Sequence, residues 1–246
     1  MNTQATLEQL NALHLSGMAR HYEAVLQLPV HHHPDAHSLI ASMTDAEIQS
    51  RTHAKIQLYI RLSKLRYPAL LEQLTYSPAR NLAKEQIIPL ADCSWIDRAE
   101  NILICGSTGS GKSYLACAIG RQACIMGYRT LYFNMNRFTD KIMLAKLDGS
   151  FTKLLNHLEK IHLLVLDDFG LAPMDQNTRL ALLQILEDRY GFKSVLIASQ
   201  LPVAAWYDYI AEPTLADAIL DRLVNNAHRF DLKGESLRKK SSQKTQ

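Results

Sequence analysis

Residues 106–113 read Gly106-Ser107-Thr108-Gly109-Ser110-Gly111-Lys112-Ser113. This is the pattern of a loop that holds phosphate groups, with each fixed position met. Its glycines let the backbone turn so that consecutive N–H groups aim at phosphate oxygens. The apolar run Ile102-Leu103-Ile104 enters the loop and a helical stretch leaves it, so the dipole at that helix's N-terminus adds a favourable field. In this arrangement Lys112 reaches the β and γ phosphates of a nucleoside triphosphate, and Ser113 ligates Mg²⁺. Tyr114 follows directly and joins the nucleotide-binding set. Further on, Leu163-Leu164-Val165-Leu166 runs into Asp167-Asp168. An apolar strand ending in acids sets carboxylates at the C-terminal edge of a sheet, where open α/β sheets bind ligands. Asp167 is expected to hold the Mg²⁺ through water, and Asp168 to polarise the attacking water. A third apolar run, Val195-Leu196-Ile197-Ala198, ends in Ser199 and Gln200. Either of these two polar residues is placed to touch the γ-phosphate or the attacking water.

Such residues need a sheet to position them. From Asn101 onward, short β-rich runs alternate with helical stretches. The expected strands are 101–105, 130–133, 163–166, 195–199 and 227–232. The expected helices are 112–126, 137–146, 151–159, 176–190 and 214–224. Alternation of this kind predicts a mostly parallel sheet covered by helices on both faces, an α/β fold. The first 95 residues contain no strand pattern. Leu7, Leu10, Leu13, Met18, Val25 and Leu26 recur at mostly helical spacing over 7–28. Ser38 is the expected N-cap of a second helix that stops before Pro68, and 79–87 is expected to form a shorter one. The expected division is a helical N-terminal domain over 1–75, a connector over 76–95, an ATPase core over 96–235 and a basic tail over 236–246.

The chain has 246 residues, 47% apolar and 21% charged. This composition supports a core and excludes wholesale disorder. A net charge of +3 permits nucleic acid as a partner without arguing for it. The cysteines at 93, 105, 117 and 124 have no zinc or redox pair spacing and read as small apolar filler. No apolar stretch approaches the length of a bilayer span, and the first ten residues lack the pattern of a signal peptide. A cytoplasmic protein without a membrane partner is expected.

The segments GSTGSGKS, LLVLDDFG and ASQLP, followed by LADAILDRLVNNAHRFDLKGESLR, resemble the IstB-like ATP-binding proteins. These are helper subunits of an insertion-sequence transposition system. They are AAA+ ATPases and close relatives of the DnaC helicase loader. The resemblance spans nearly the whole chain and is closest over 101–238. It implies a P-loop AAA+ core preceded by a small all-helical domain. It implies ATP and Mg²⁺ as cofactors, the phosphate loop at Gly106 to Ser113, the magnesium-binding acid at Asp167 and the catalytic acid at Asp168. The wider class has Glu at that last position, one methylene longer. The first sensor falls on Gln200, where Asn is usual. Arg222 matches the arginine finger, which acts on a neighbour's nucleotide. By itself Arg222 reads as an ion-pair residue on a helix. Arg238 matches the second sensor, an arginine that most of the class carries on a helical lid; with eight residues after it, no C-terminal lid is expected here.

The function this implies is an ATP-dependent transposition helper. It would oligomerise on target DNA with ATP sites at subunit interfaces, hydrolyse ATP and regulate its cognate transposase. The alternative is a DnaC-like replicative helicase loader, with the same core but a different N-terminal partner. Basic residues suit either. Arg51, Lys55, Arg61, Lys64 and Arg66 lie in the second helical segment. At 100° per residue Arg51, Lys55 and Arg66 share a face of about 60°, and Arg61 and Lys64 lie on another. Lys239 and Lys240 add charge near the C-terminus. Such residues contact phosphates of double-stranded DNA without strong sequence preference. His31, His32, His33 and His37 cluster in an expected loop, where metal ligation is disfavoured because ligands need fixed geometry.

Overall fold

The computed structural model describes residues 2–234. The expectations for Arg238, Lys239, Lys240 and the tail lie outside these residues. The chain divides into two compact units, one ending at Leu58 and one beginning at Tyr59.

The first unit is helical. It contains α1 (Thr3–Ala12), α2 (Ser16–Leu26) and most of α3 (Ala36–Ser63). The expected continuous helical span over 7–28 is broken, because His14 takes a left-handed conformation at φ 57°. Gly17, near the start of α2, lies so close to α3 that a Cβ would meet the Ala46 carbonyl at 2.5 Å. The Glu47 carboxylate accepts the N–H groups of Gly17 at 2.7 Å and Met18 at 3.2 Å. It thereby satisfies orphan donors at the α2 N-terminus. The cap of α3 is Asp35 and not Ser38: Asp35 Oδ1 accepts from the N–H of His37 and Ser38, and Ser38 Oγ donates to Asp35 Oδ2. A carboxylate one residue before the helix reaches those donors, whereas Ser38 already sits inside its first turn.

The second unit begins with the last residues of α3, followed by irregular chain. The expected helix over 79–87 is reduced to α4 (Lys84–Ile87). Its first half is a tight turn over Pro78–Arg80, closed by Asn81 at φ 52° and a bridge from Ser77 to Leu82. A second short helix, α5 (Ser94–Asp97), leads into β1 (Asn101–Gly106). Then follow α6 (Lys112–Ile125), β2 (Thr130–Asn134), α7 (Met135–Leu147), α8 (Phe151–Glu159) and β3 (Leu163–Phe169). The remainder is α9 (Gln176–Arg189), β4 (Ser194–Ser199), α10 (Trp206–Ile210), α11 (Pro213–Val224) and β5 (Ala227–Leu232).

The five strands form one sheet in the order β2-β3-β4-β1-β5, and every neighbouring pair is parallel. Successive residues of a strand serve opposite faces. Leu103, Leu164, Leu166, Val195 and Ile197 pack with α7 to α11, through Phe138, Leu182, Trp206 and Ile219 among others. Ile102, Ile104, Val165, Leu196 and Ala198 pack with α6 and with Trp95 of α5. Burial on both faces is why these strands read as unbroken apolar runs. All four cysteines are free and buried, and burial pushes the Cys93 thiol up to about 12. Among the described residues no helix is long and apolar enough to cross a membrane.

Candidate nucleotide site

The β1 strand delivers the chain into the loop at Gly106. There φ is 150°, and a Cβ would stand 2.4 Å from the Leu232 carbonyl of β5. Only glycine fits so close to another backbone. Gly109 and Gly111 are also left-handed, at φ 83° and 95°, and α6 starts directly after them. Lys112 is buried, and its Nζ donates to the Ser107 carbonyl at 2.9 Å, so the side chain folds back across the loop it serves. Ser113 is half-buried in the first turn.

The loop is braced by Arg80, which the sequence offers only as the last of six basic residues between 51 and 80. Arg80 donates from one guanidinium nitrogen to the Ser110 carbonyl at 2.7 Å and from another to the Thr75 carbonyl at 2.9 Å. Arg80 also helps line a cavity of about 190 Å³ with Gln73, Leu74, Leu82, Gly111 and Tyr114. The Tyr114 hydroxyl donates to Gln73 Oε1 at 3.3 Å.

The acids stand where β3 ends. Asp167 is fully buried. Its Oδ2 accepts from the Tyr132 hydroxyl at 2.6 Å, and its Oδ1 from the N–H of Asp168 at 2.9 Å. Burial, followed by this bond to Asp167, pushes the Tyr132 phenol well above its usual range, so it stays a donor. Asp168 is left-handed at φ 60°, a conformation that costs on the order of 1–3 kcal/mol in a residue with a side chain. Its Oδ2 accepts from Asn134 Nδ2 at the end of β2 and lies 3.9 Å from the Arg66 guanidinium. β2 is an edge strand, and β4 separates β3 from β1. The Asp168 carboxylate is therefore held on the side of β3 away from the phosphate loop.

Of the two polar residues where β4 ends, the structure brings Gln200 to the loop: its Oε1 accepts from Thr108 Oγ1 at 2.8 Å. Ser199 is committed elsewhere, donating to the Phe169 carbonyl at 2.7 Å and accepting from the Leu201 N–H at 3.0 Å. Arg222 stands at the other end of the sheet. Asn101, the first residue of β1, donates to the carbonyls of Arg222 and Leu223 and accepts from the Val195 N–H. It ties the end of α11 to the start of the strands. The six residues of β1 put about 20 Å between this point and the phosphate loop. The Arg222 guanidinium pairs with Glu187 at 2.7 Å.

The basic residues do not share the expected face. α3 stops at Ser63, and Lys64 turns left-handed at φ 58°. Arg66 therefore leaves the helix and meets Asp168 instead of extending the Arg51 and Lys55 face. Arg51 itself pairs with Glu47 at 2.7 Å. Lys55 and Arg61 are exposed on α3. His33 Nε2 lies 3.0 Å from the Leu28 carbonyl, and no group of three or more His, Cys, Asp or Glu among the described residues could hold a metal ion. Asp167 and Ser113 are a different case. A carboxylate and a hydroxyl are the hard oxygen donors that suit Mg²⁺, which keeps water and substrate phosphates as its other ligands.

The sheet order and the loop after β1 define a P-loop fold of the AAA+ type. A solved structure of a DNA replication initiation factor shares it with a TM-score of 0.61 and 22% identity, over 74% of this chain and 55% of that one. The DnaC helicase loader shares it with a TM-score of 0.55 and 20% identity, over 69% of this chain and 99% of the other. The family model of the IstB-like ATP binding proteins matches residues 8–245, and the chain belongs to that family. An insertion sequence ATP-binding protein of Sinorhizobium fredii, y4pL, is 41% identical over the full length of both chains. The ATP-binding protein of insertion sequence IS1162 of Pseudomonas fluorescens is 39% identical over 82% of this chain and 88% of its own.

Proposed function

We propose that the protein is the ATP-hydrolysing helper of an insertion-sequence transposition reaction, assembling on double-stranded DNA and regulating its partner transposase. The observation that carries the nucleotide chemistry is the folded phosphate loop with Lys112 buried across it, on the same sheet edge as the buried Asp167. The transposition context rests on the family and on relatives named as insertion sequence ATP-binding proteins. Likeness to the DnaC loader is one of fold and adds no loader role.

In this reading the loop N–H groups from Gly106 to Ser113 hold the phosphates, and Lys112 meets the β and γ oxygens. The cavity beside Tyr114 takes the nucleoside. Ser113 and Asp167 hold Mg²⁺, which supplies positive charge to the phosphate oxygens. Gln200 reaches the γ-phosphate from the loop edge. Asp168 accepts a proton from water as the new P–O bond forms and the β–γ bridge breaks. For that it must leave Asn134 and Arg66 and turn toward the loop. Asp168→Asn keeps the shape and removes the acceptor charge. ATP binding should persist while hydrolysis falls by about 10² to 10⁴, the usual worth of a general base. Loss of Mg²⁺-dependent ATP binding in that variant would show that the roles of Asp167 and Asp168 are reversed.

DNA binding in this reading comes from backbone charge through Arg51, Lys55, Arg61 and Lys64, joined by Lys239 and Lys240. The logarithm of affinity for duplex DNA should fall linearly with the logarithm of salt, with little dependence on sequence. Removing 239–246 takes away Lys239, Lys240 and Lys244, and the slope should drop in magnitude by up to about 3. A strong preference for one duplex sequence with a shallow slope counts against this mode.

A further inference from the structure

A cavity of about 160 Å³ opens at the end of the sheet where β1 and β4 begin, and four cations line it: Arg98, Arg189, Lys193 and Arg222. Their partners differ. Arg98 is neutralised by Glu100 at 2.7 Å, and Arg222 by Glu187 at 2.7 Å and Asp221 at 3.4 Å. Arg189 is buried and has no carboxylate. Its guanidinium donates to the carbonyls of Leu158, Ile161, His162 and Ser194. Burial brings its pKa down to about 9, so it stays charged at neutral pH. The Lys193 ammonium has no carboxylate within ion-pair distance among the described residues. Those four carbonyls occupy the terminal N–H groups of Arg189, so the charge of this wall without a fixed partner is that of Lys193, and an anion can meet it there.

A phosphoryl group fits that demand. Its oxygens accept from the forked guanidinium of Arg222 and from a compact ammonium together. The chain's own nucleotide cannot supply it, because the phosphate loop is the length of β1 away. We propose that Lys193 is a second cation acting across the subunit interface, meeting beside Arg222 the γ-phosphate of ATP held by the neighbouring copy. This rests on the shared-site reading of Arg222. Glu187 holds Arg222 in the single chain, and the phosphate replaces it as the acceptor. Lys193 needs no release.

The test is phosphate release by the full chain at saturating ATP and saturating duplex DNA. Lys193→Ala should lower turnover roughly tenfold to a hundredfold, at or below the loss on removing one oxyanion donor. ATP affinity and thermal unfolding should stay unchanged, and Lys193→Arg should recover most of the rate. Mixing then assigns the side from which the residue acts. Lys112→Ala with Arg222→Ala should regain activity, and so should Lys112→Ala with Lys193→Ala. Arg222→Ala with Lys193→Ala should give no more than the mean of the two alone, because every interface then lacks one of two donors supplied by the same subunit.

If Lys112→Ala with Arg222→Ala fails to regain activity, the shared-site reading itself falls. If that pair recovers but Lys193→Ala turns over like the unaltered protein, the proposal for Lys193 alone is overturned. It is also overturned if Arg222→Ala and Lys193→Ala complement each other, which places Lys193 in its own subunit's site. A Lys193→Ala defect that appears only below saturating DNA assigns the phosphate to the DNA backbone and overturns it as well.

Discussion

Lys112→Ala should leave a folded protein that has lost ATP hydrolysis. The Lys112 ammonium is buried and folded onto the Ser107 carbonyl, so its charge is already desolvated before any phosphate arrives. An opposite charge about 4 Å away at an effective dielectric near 20 is worth about 4 kcal/mol. Losing it weakens ATP binding by about a thousandfold, and hydrolysis falls at least as far because charge on the γ-oxygens goes unopposed. The bond to Ser107 is the structural share of this side chain. Lys112→Met keeps the stem and drops the charge, so a similar loss in both variants assigns the effect to charge. Turnover within tenfold of the unaltered protein in either one would end the phosphate-loop reading.

The core was legible because its physics is local. The three inner strands, β3, β4 and β1, are buried on both faces, so four apolar residues in a row mark each of them, and the glycines of 106–111 mark the turn between β1 and α6. Asp167 followed from the same rule, as the first acid after an apolar strand. What escaped depends on partners far along the chain. Arg80 braces Ser110 thirty residues away, and Asn101 fastens Arg222; neither sits in a pattern that announces it. The turn over Pro78–Asn81 was hidden because Ala79, Arg80 and Lys84 are good helix formers. The left-handed Asn81 and the Ser77 to Leu82 bridge decide the matter instead. Arg66 was misplaced by extending a periodicity past the true helix end. One left-handed residue, Lys64, turns it from the expected face toward Asp168. Ser199 and Gln200 look alike as a strand exit, and only the pleat separates them: one side chain turns into the core and the next toward the loop.

The second large effect belongs to Arg222. Arg222→Ala should bind ATP normally and hydrolyse it about 10³ to 10⁵ times more slowly, the range measured for arginine fingers. A plain reading of its ion pair predicts something far milder. The Glu187 carboxylate is about half exposed, and pairs of that kind contribute roughly 0–1 kcal/mol, so a purely structural Arg222 costs a little stability and no catalysis. Glu187→Gln separates the two readings further. Without the Glu187 charge, Arg222 keeps only the looser ion pair with Asp221 at 3.4 Å, and turnover at limiting DNA should rise; a structural pair gives unchanged turnover and a slightly lower unfolding temperature. The dependence on mixing ratio carries the rest of the argument. With Lys112→Ala and Arg222→Ala both inactive alone, a productive interface needs an intact pocket from one and an intact Arg222 from the other. If assembly is random, the frequency of such pairs is the product of the two fractions. Activity should therefore be greatest near equal amounts and fall to the floor at either end. A flat line at background across all ratios, with co-assembly shown by light scattering, would refute the shared site. Arg222 would then be what its Glu187 contact alone suggests, a brace between α9 and α11.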